Sequence, residues 1–331
     1  MFPPFSYACD LSIEVYQQSI KHMKEHNLGE RISKLGWAYY SVGSAIPQTF
    51  DSFWSGHFFP YAESWDELQV SFCLSLFGLY KQAMVSLRSG LELGLLSVYW
   101  NLNDDGHVAV KQWLRSEEDT PRLSDIWNRI ERHDNFRLFQ NKYDIKARLL
   151  KLGFLHNYVH SKGHKYSNYM GIESSNFQRF KPQIFTFWLN TFEEVIKVLS
   201  ILHCVKYTVA TIRYDYYAKF GVDIPSFGGL PTFEIERLED IIGRDIFQQI
   251  EEVAREDQRV KDIMSWLDSL PEMTEEDVEN QIIDLEKDMI ERIGLNKWLK
   301  KETETLKQIG ASEKVQRRIE YLTKWAKERG Y

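Results

Sequence analysis

An all-α fold is predicted by three observations. Apolar residues recur at three- and four-residue spacing along most of the chain, proline and glycine punctuate those periodic segments, and 43% hydrophobic with 14% aromatic content supplies a packed core. A length of 331 residues fits one large or two ordinary domains.

Taken in order, Leu11 to His26 reads as a first helix closing near Gly29, and Glu30 to Ile46 as a second stopped by Pro47. Gly36 and Gly43 leave room for close packing there. Gln48 to Tyr61, with Phe50, Phe53, Trp54, Phe58 and Phe59, is an aromatic connection suited to covering a core. Ser64 followed by Glu67 has the spacing of a capping box, so a long helix is expected from there to about Trp100, with bends or close contacts at Gly78, Gly90 and Gly94. Its apolar stripe runs through Met84, Leu87, Leu91, Leu95 and Val98, and Arg88 falls inside that stripe with Glu92 one turn later. An arginine among leucines needs partners: either Glu92 in a structural pair, or an anion in a site.

Asn101 to Gly106 breaks the pattern, and shorter helical pieces follow around Trp113 and after Ser124. A basic helix is expected from about Lys142 to His160, then a loop of about twenty residues from Ser161 to Lys181. Pro182 opens another long helix, expected to reach Lys219. Residues 1–220 therefore read as a helical bundle. Gly221 to Pro231 is the linker candidate, and 232–331 reads as a smaller, highly charged helical region. Its helices are expected over Phe233 to Ala254, around Ile263 to Leu267, and over Thr274 to Ile293, Leu295 to Ile309 and Ser312 to Arg329.

The net charge of −7 conceals segregation. Nine Lys/Arg face two acids between Phe136 and Pro182, twenty acids face six bases between Pro231 and Glu291, and eleven bases face five acids from Arg292 onward. Such blocks are either solvated helix faces or an anion-binding surface balanced by an acidic region. Cys9, Cys73 and Cys204 are odd in number and far apart, which fits neither a disulfide framework nor a thiolate zinc site. The most apolar run, Val195 to Ile212, is broken by Lys197, His203 and Lys206, and no basic region leads into an apolar core at the N-terminus. No membrane span, no export and a cytoplasmic location are expected.

The chemistry-bearing stretch is Lys151 to Gly163, which sets His156 and His160 four apart on one helical face, at the end of a stripe through Ile145, Leu149 and Leu152. This spacing suits two helix-borne metal ligands, with His164 or His133 as a third. However, the chain has neither His-Glu-x-x-His nor a cysteine pair, so no metal and no cofactor is expected. Phosphate-cradling glycine motifs are missing as well. What remains is general acid-base chemistry on a phosphodiester, with cations stabilising the charged intermediate in surroundings that suit RNA.

The run Tyr80 to Tyr99, followed by Leu155 to Gly163, resembles bacterial HEPN-like helical-bundle proteins, many linked to phage defence and toxin systems; the resemblance covers roughly residues 60 to 220. It implies a HEPN-like bundle, a homodimer and a metal-independent endoribonuclease. The family's ribonucleases place an arginine ahead of the histidine with four to six residues between them. Here His160 matches the histidine, while the arginine positions hold Leu155, Phe154 and Gly153, so Arg88 or Arg148 would have to supply the guanidinium. The expected roles are His160 as acid or base, His156 assisting, Arg88 offsetting charge, and Arg148, Lys151, Lys162 and Lys165 contacting RNA. The competing expectation is a non-catalytic interaction protein whose C-terminal helices bind a protein partner or a second copy.

Overall fold

A computed structural model describes residues 8–46, 57–100, 102, 108–172, 177–222, 229–310 and 312–331. Among these the chain is helical throughout and forms no strand. Residue contacts divide it into two compact units, Met1–Arg213 with Ser226–Met264, and Tyr214–Pro225 with Ser265–Tyr331.

The first unit begins with α1 (Cys9–Glu25) and α2 (Leu28–Ala45). Next come α3 (Phe58–Leu76) and α4 (Tyr80–Tyr99), which pack against each other along their length. The single helix expected from Ser64 to Trp100 is therefore a hairpin. Its corner is Gly78, whose φ of +69° is a left-handed turn conformation that a side chain disfavours. A Cβ there would also lie 2.7 Å from the Arg179 carbonyl oxygen.

Small residues let α3 and α4 approach closely. Ser64 Oγ donates to the Gly90 carbonyl at 2.6 Å, and Ser71 Oγ to that of Ala83 at 2.7 Å. Ser64 is thus a buried mid-helix residue and not an N-cap, which corrects the capping-box expectation: a serine with a glutamate three residues on has the same spacing in either place. Gly94 marks a second close crossing, since a Cβ there would stand 2.6 Å from Leu199. Of the aromatic connection, Phe58 and Phe59 open α3, while 47–56 lie outside the described residues, as does most of Asn101 to Gly106.

After α4 come the short helices α5 (Val108–Leu114), α6 (Leu123–Ile130) and α7 (Asp134–Lys142). The basic helix expected from Lys142 to His160 is a broken rod: α8 (Ile145–Lys151) is N-capped by Asp144, whose carboxylate accepts from the Ala147 amide at 3.0 Å. A 3₁₀ segment (Leu152–Leu155) and one further turn, α9 (His156–Val159), continue it. After a second 3₁₀ segment (His164–Tyr166), α10 (Pro182–Lys206) opens on Pro182 as expected but ends well short of Lys219.

Helix α10 is buried on almost every side from Val195 to Lys206 and runs through the middle of the unit, packing on α2, α4 and α7. A 3₁₀ turn (Thr208–Thr211) and α11 (Tyr216–Phe220) follow it.

Glycine with φ +98° at Gly243 splits the segment expected as one helix from Phe233 to Ala254 into α12 (Thr232–Ile242) and α13 (Arg244–Glu256). Both belong to the first unit, with Ile235, Leu238, Ile242, Phe247, Ile250 and Val253 in its core. The boundary expected at 221–231 is one of three: the chain passes between the units after Arg213, after Pro225 and again after Met264, inside α14 (Gln258–Ser269), so 232–331 is not a separate region. Charge reversal had pointed to a domain edge. It instead marks the solvent face of helices whose apolar faces close the bundle, and their acids pair with cations of the same unit, as in Lys34–Asp240 at 3.1 Å and Lys142–Glu252.

The second unit holds α11, the end of α14, α15 (Glu275–Ile293), α16 (Leu295–Ile309) and α17 (Glu313–Arg329). The last three match their expected spans closely. Thr274 and Asp277 form a true capping box at the start of α15. Ile290, Leu295, Trp298, Leu322 and Ala326 form its core. Among the described residues no helix is long and apolar enough to cross a membrane.

Candidate functional site

Leu152, Leu155 and Tyr158 point into the core, each no more than 3% exposed, and Tyr158 meets Tyr166 edge-on at 5.1 Å. Burial raises the Tyr158 phenol to about 12. Anchoring this face turns His156 and His160 outward, where their rings stand 4.4 Å apart and tilted by 55°. The helix ends beyond them through Ser161 and Gly163, at φ +46° and +77°. From α4, Lys81 Nζ donates to Ser161 Oγ at 2.6 Å and ties this turn to the α3–α4 hairpin.

His156 borders a cavity of about 560 Å³. Its floor and mouth come from α4, from the segment 120–126 and from 149–156, and they bring Arg88, Glu92, Arg122 and His156 together. Arg88 Nη2 donates to Glu92 Oε1 at 2.5 Å. Burial pushes the Glu92 carboxyl above its ordinary pKa, opposed by the charges of Arg88 and His156. Sequence spacing anticipated Arg88, Glu92 and His156 but not their meeting with Arg122, because the segment around Pro121 carries no motif.

The basic block proves narrower than its composition. Arg137 pairs with Asp134, Lys142 with Glu252, Lys146 with Glu131 and Arg148 with Glu194. Arg148 Nη2 lies 2.7 Å from Glu194 Oε2, its Nε also meets Glu194, and Nη1 donates to Tyr143 Oη at 2.6 Å. These hydrogen bonds, Glu194 foremost, hold its pKa above an already high value. A guanidinium so engaged is not presented to RNA, which removes Arg148 from the expected contact set. Lys151, Lys162 and Lys165 are exposed and form no ion pair among the described residues; Lys165 Nζ lies 5.5 Å from the Tyr166 ring centroid.

The other histidines do not join this site. His164 is exposed beside Tyr169, with ring centroids 5.2 Å apart. His133 caps α7, its Nδ1 accepting from the Asn135 amide at 3.3 Å, and burial lowers its pKa. Among the described residues no group of three His, Cys, Asp or Glu could hold a metal ion.

A second polar constellation lies in the core. Lys206 Nζ donates to the carbonyls of Ser97 at 2.7 Å and Trp100 at 2.8 Å, and stands 3.2 Å from His57 Nδ1. His203 Nδ1 donates to the Leu199 carbonyl at 2.8 Å, and its Nε2 is 3.2 Å from Ser97 Oγ. Burial lowers the His203 pKa to about 3, so the ring is neutral. In the sequence these residues interrupt an apolar run, which spoke against a membrane span and was also the trace of this network.

Among known proteins no family model, no curated protein and no solved structure matches the chain.

Proposed function

We propose that the His156–His160 face is an RNA-binding surface with metal-independent endoribonuclease chemistry, working as a defence or stress module. The observation that carries this is a pair of exposed imidazoles with ring centroids 4.4 Å apart, of which His156 joins the Arg88–Glu92 pair in lining one cavity while His160 stands beside it. An imidazole takes the proton from a ribose 2′-hydroxyl, the 2′-oxygen attacks phosphorus, the bond to the 5′-oxygen breaks, and a protonated group delivers a proton to that oxygen. His160 fits the acid-base role at the exposed end, with His156 assisting. Arg88 offsets charge on the pentavalent phosphorus, and Lys162 and Lys165 hold the flanking backbone. Histidine is suited because its ordinary pKa of about 6.5 lets it donate and accept near neutrality.

A second function is favoured by a specific observation. Both arginines in reach of the family-like role are engaged by carboxylates, Arg88 by Glu92 and Arg148 by Glu194. This fits a non-catalytic interaction module that dimerises or uses its charged C-terminal helices to hold a protein partner.

Incubating the purified protein with total RNA in excess chelator separates the two. The ribonuclease predicts fragments with 2′,3′-cyclic phosphate ends that His160→Ala abolishes and His156→Ala reduces. Intact RNA with the wild type, or equal cleavage by His160→Ala, rejects it.

A further inference from the structure

The floor of the cavity beside His156 is built from Leu91, Leu95, Ile126, Leu149, Leu152 and Leu155, none more than 5% exposed. These aliphatic side chains offer no hydrogen-bond donor or acceptor. A nucleobase inserted there would leave its polar edge unpaired, which disfavours it. An alkyl body loses nothing by entering, and each methylene buried strengthens binding by about fourfold.

The mouth has the opposite character. Arg88, Arg122 and His156 converge on it against the single carboxylate of Glu92, whose burial favours its neutral form. Arg122 is exposed and forms no ion pair among the described residues. Arg88 gives one donor to Glu92, and a guanidinium carries five. An apolar floor under a cationic mouth selects a ligand with an apolar body and an anionic head.

We infer that this cavity binds a small amphiphilic anion, an alkyl carboxylate or alkyl phosphate, with its chain on the leucine floor and its head at Arg88 and Arg122. This goes beyond the RNA chemistry proposed for the histidine face and needs no RNA to be tested.

The experiment is calorimetric titration of the full chain, without RNA, with decanoate, decyl phosphate, octanoate and decanol below their aggregation limits. Saturable one-to-one binding of an anion is expected, with decanol at least about tenfold weaker and octanoate weaker than decanoate on the order of tenfold. The tighter of the two ten-carbon anions identifies the head group. Arg122→Gln keeps the floor and should erase the preference for anion over alcohol. Leu152→Phe narrows the floor and should weaken decanoate about tenfold, with circular dichroism confirming the fold. If Leu152→Phe does not fold, Arg122→Gln still decides. Decanol binding as tightly as both ten-carbon anions, an undiminished anion preference in Arg122→Gln, undiminished binding in folded Leu152→Phe, or no saturable binding overturns the inference.

Discussion

Arg148 holds both carboxylate oxygens of Glu194 while a further N–H of the same guanidinium donates to the Tyr143 hydroxyl. This arrangement pins α8 to α10, so its role lies in the fold that presents His156 and His160. Glu194→Gln weakens a charged, partly desolvated contact and should lower stability by about 2 kcal/mol. Urea unfolding checks this, and RNA affinity in the same variant should be unchanged at pH 7. Higher RNA affinity with unaltered stability would return Arg148 to the binding surface.

His203 gives the fold a pH dependence whose sign follows from its environment. Burial first, and the nearby Lys206 charge, lower its pKa from 6.5 to about 3, against the opposing hydrogen bond to Leu199. Between those values the unfolded chain binds a proton that the folded chain refuses. Stability from this group is fully present above pH 6.5 and falls by about 1.4 kcal/mol per pH unit below it, until about pH 3. From pH 6.5 to 5 the wild type should lose about 2 kcal/mol more than His203→Gln in denaturant titrations. Equal losses would show that His203 is solvated.

Gly78→Ala should be costly and Gly29→Ala should not. The first position has φ +69° with the Arg179 backbone 2.7 Å from an added Cβ, whereas nothing lies within 4 Å of a Cβ at Gly29. A loss of ~2 kcal/mol or more is expected at Gly78 from the left-handed backbone and the contact together. A gain of ~0.5 kcal/mol is expected at Gly29, inside α2. Melting temperatures of the two variants are the measurement.

Lys162 and Lys165 should act on RNA as phosphate contacts. Removing both as alanines should weaken binding of single-stranded RNA of every sequence and flatten the log–log salt dependence by about 1.4, at ~0.7 per contact. Anisotropy titrations between low and moderate salt measure this. An unchanged slope would place the RNA path elsewhere.

Local chemistry was legible in the sequence where one element decides it alone. Pro182 opens α10, and α15 to α17 begin and end near their expected residues, because helix starts and stops are written within a turn. Ser64 was misleading for the opposite reason: its hydroxyl serves Gly90 on another helix, a partner 26 residues away that spacing cannot reveal. The same holds at the site. His156 and His160 share a face because helical geometry alone requires it. The engagement of Arg148 depends on Glu194, 46 residues on, and the cavity depends on the segment around Pro121 folding back over α4.

Lys206 stands at the end of α4 where carbonyls carry the negative pole of the helix, and its ammonium closes two of them, Ser97 and Trp100. Since Arg88 lies nine residues up the same helix, about 14 Å along its axis, the central helix α10 sets the axial position of the arginine from a distance. Helix α4 is thus a rod tied at both ends, by Lys206 beyond its last turn and through Lys81 to Ser161 near its start, and Arg88 and Glu92 keep their register with His156 between the two ties.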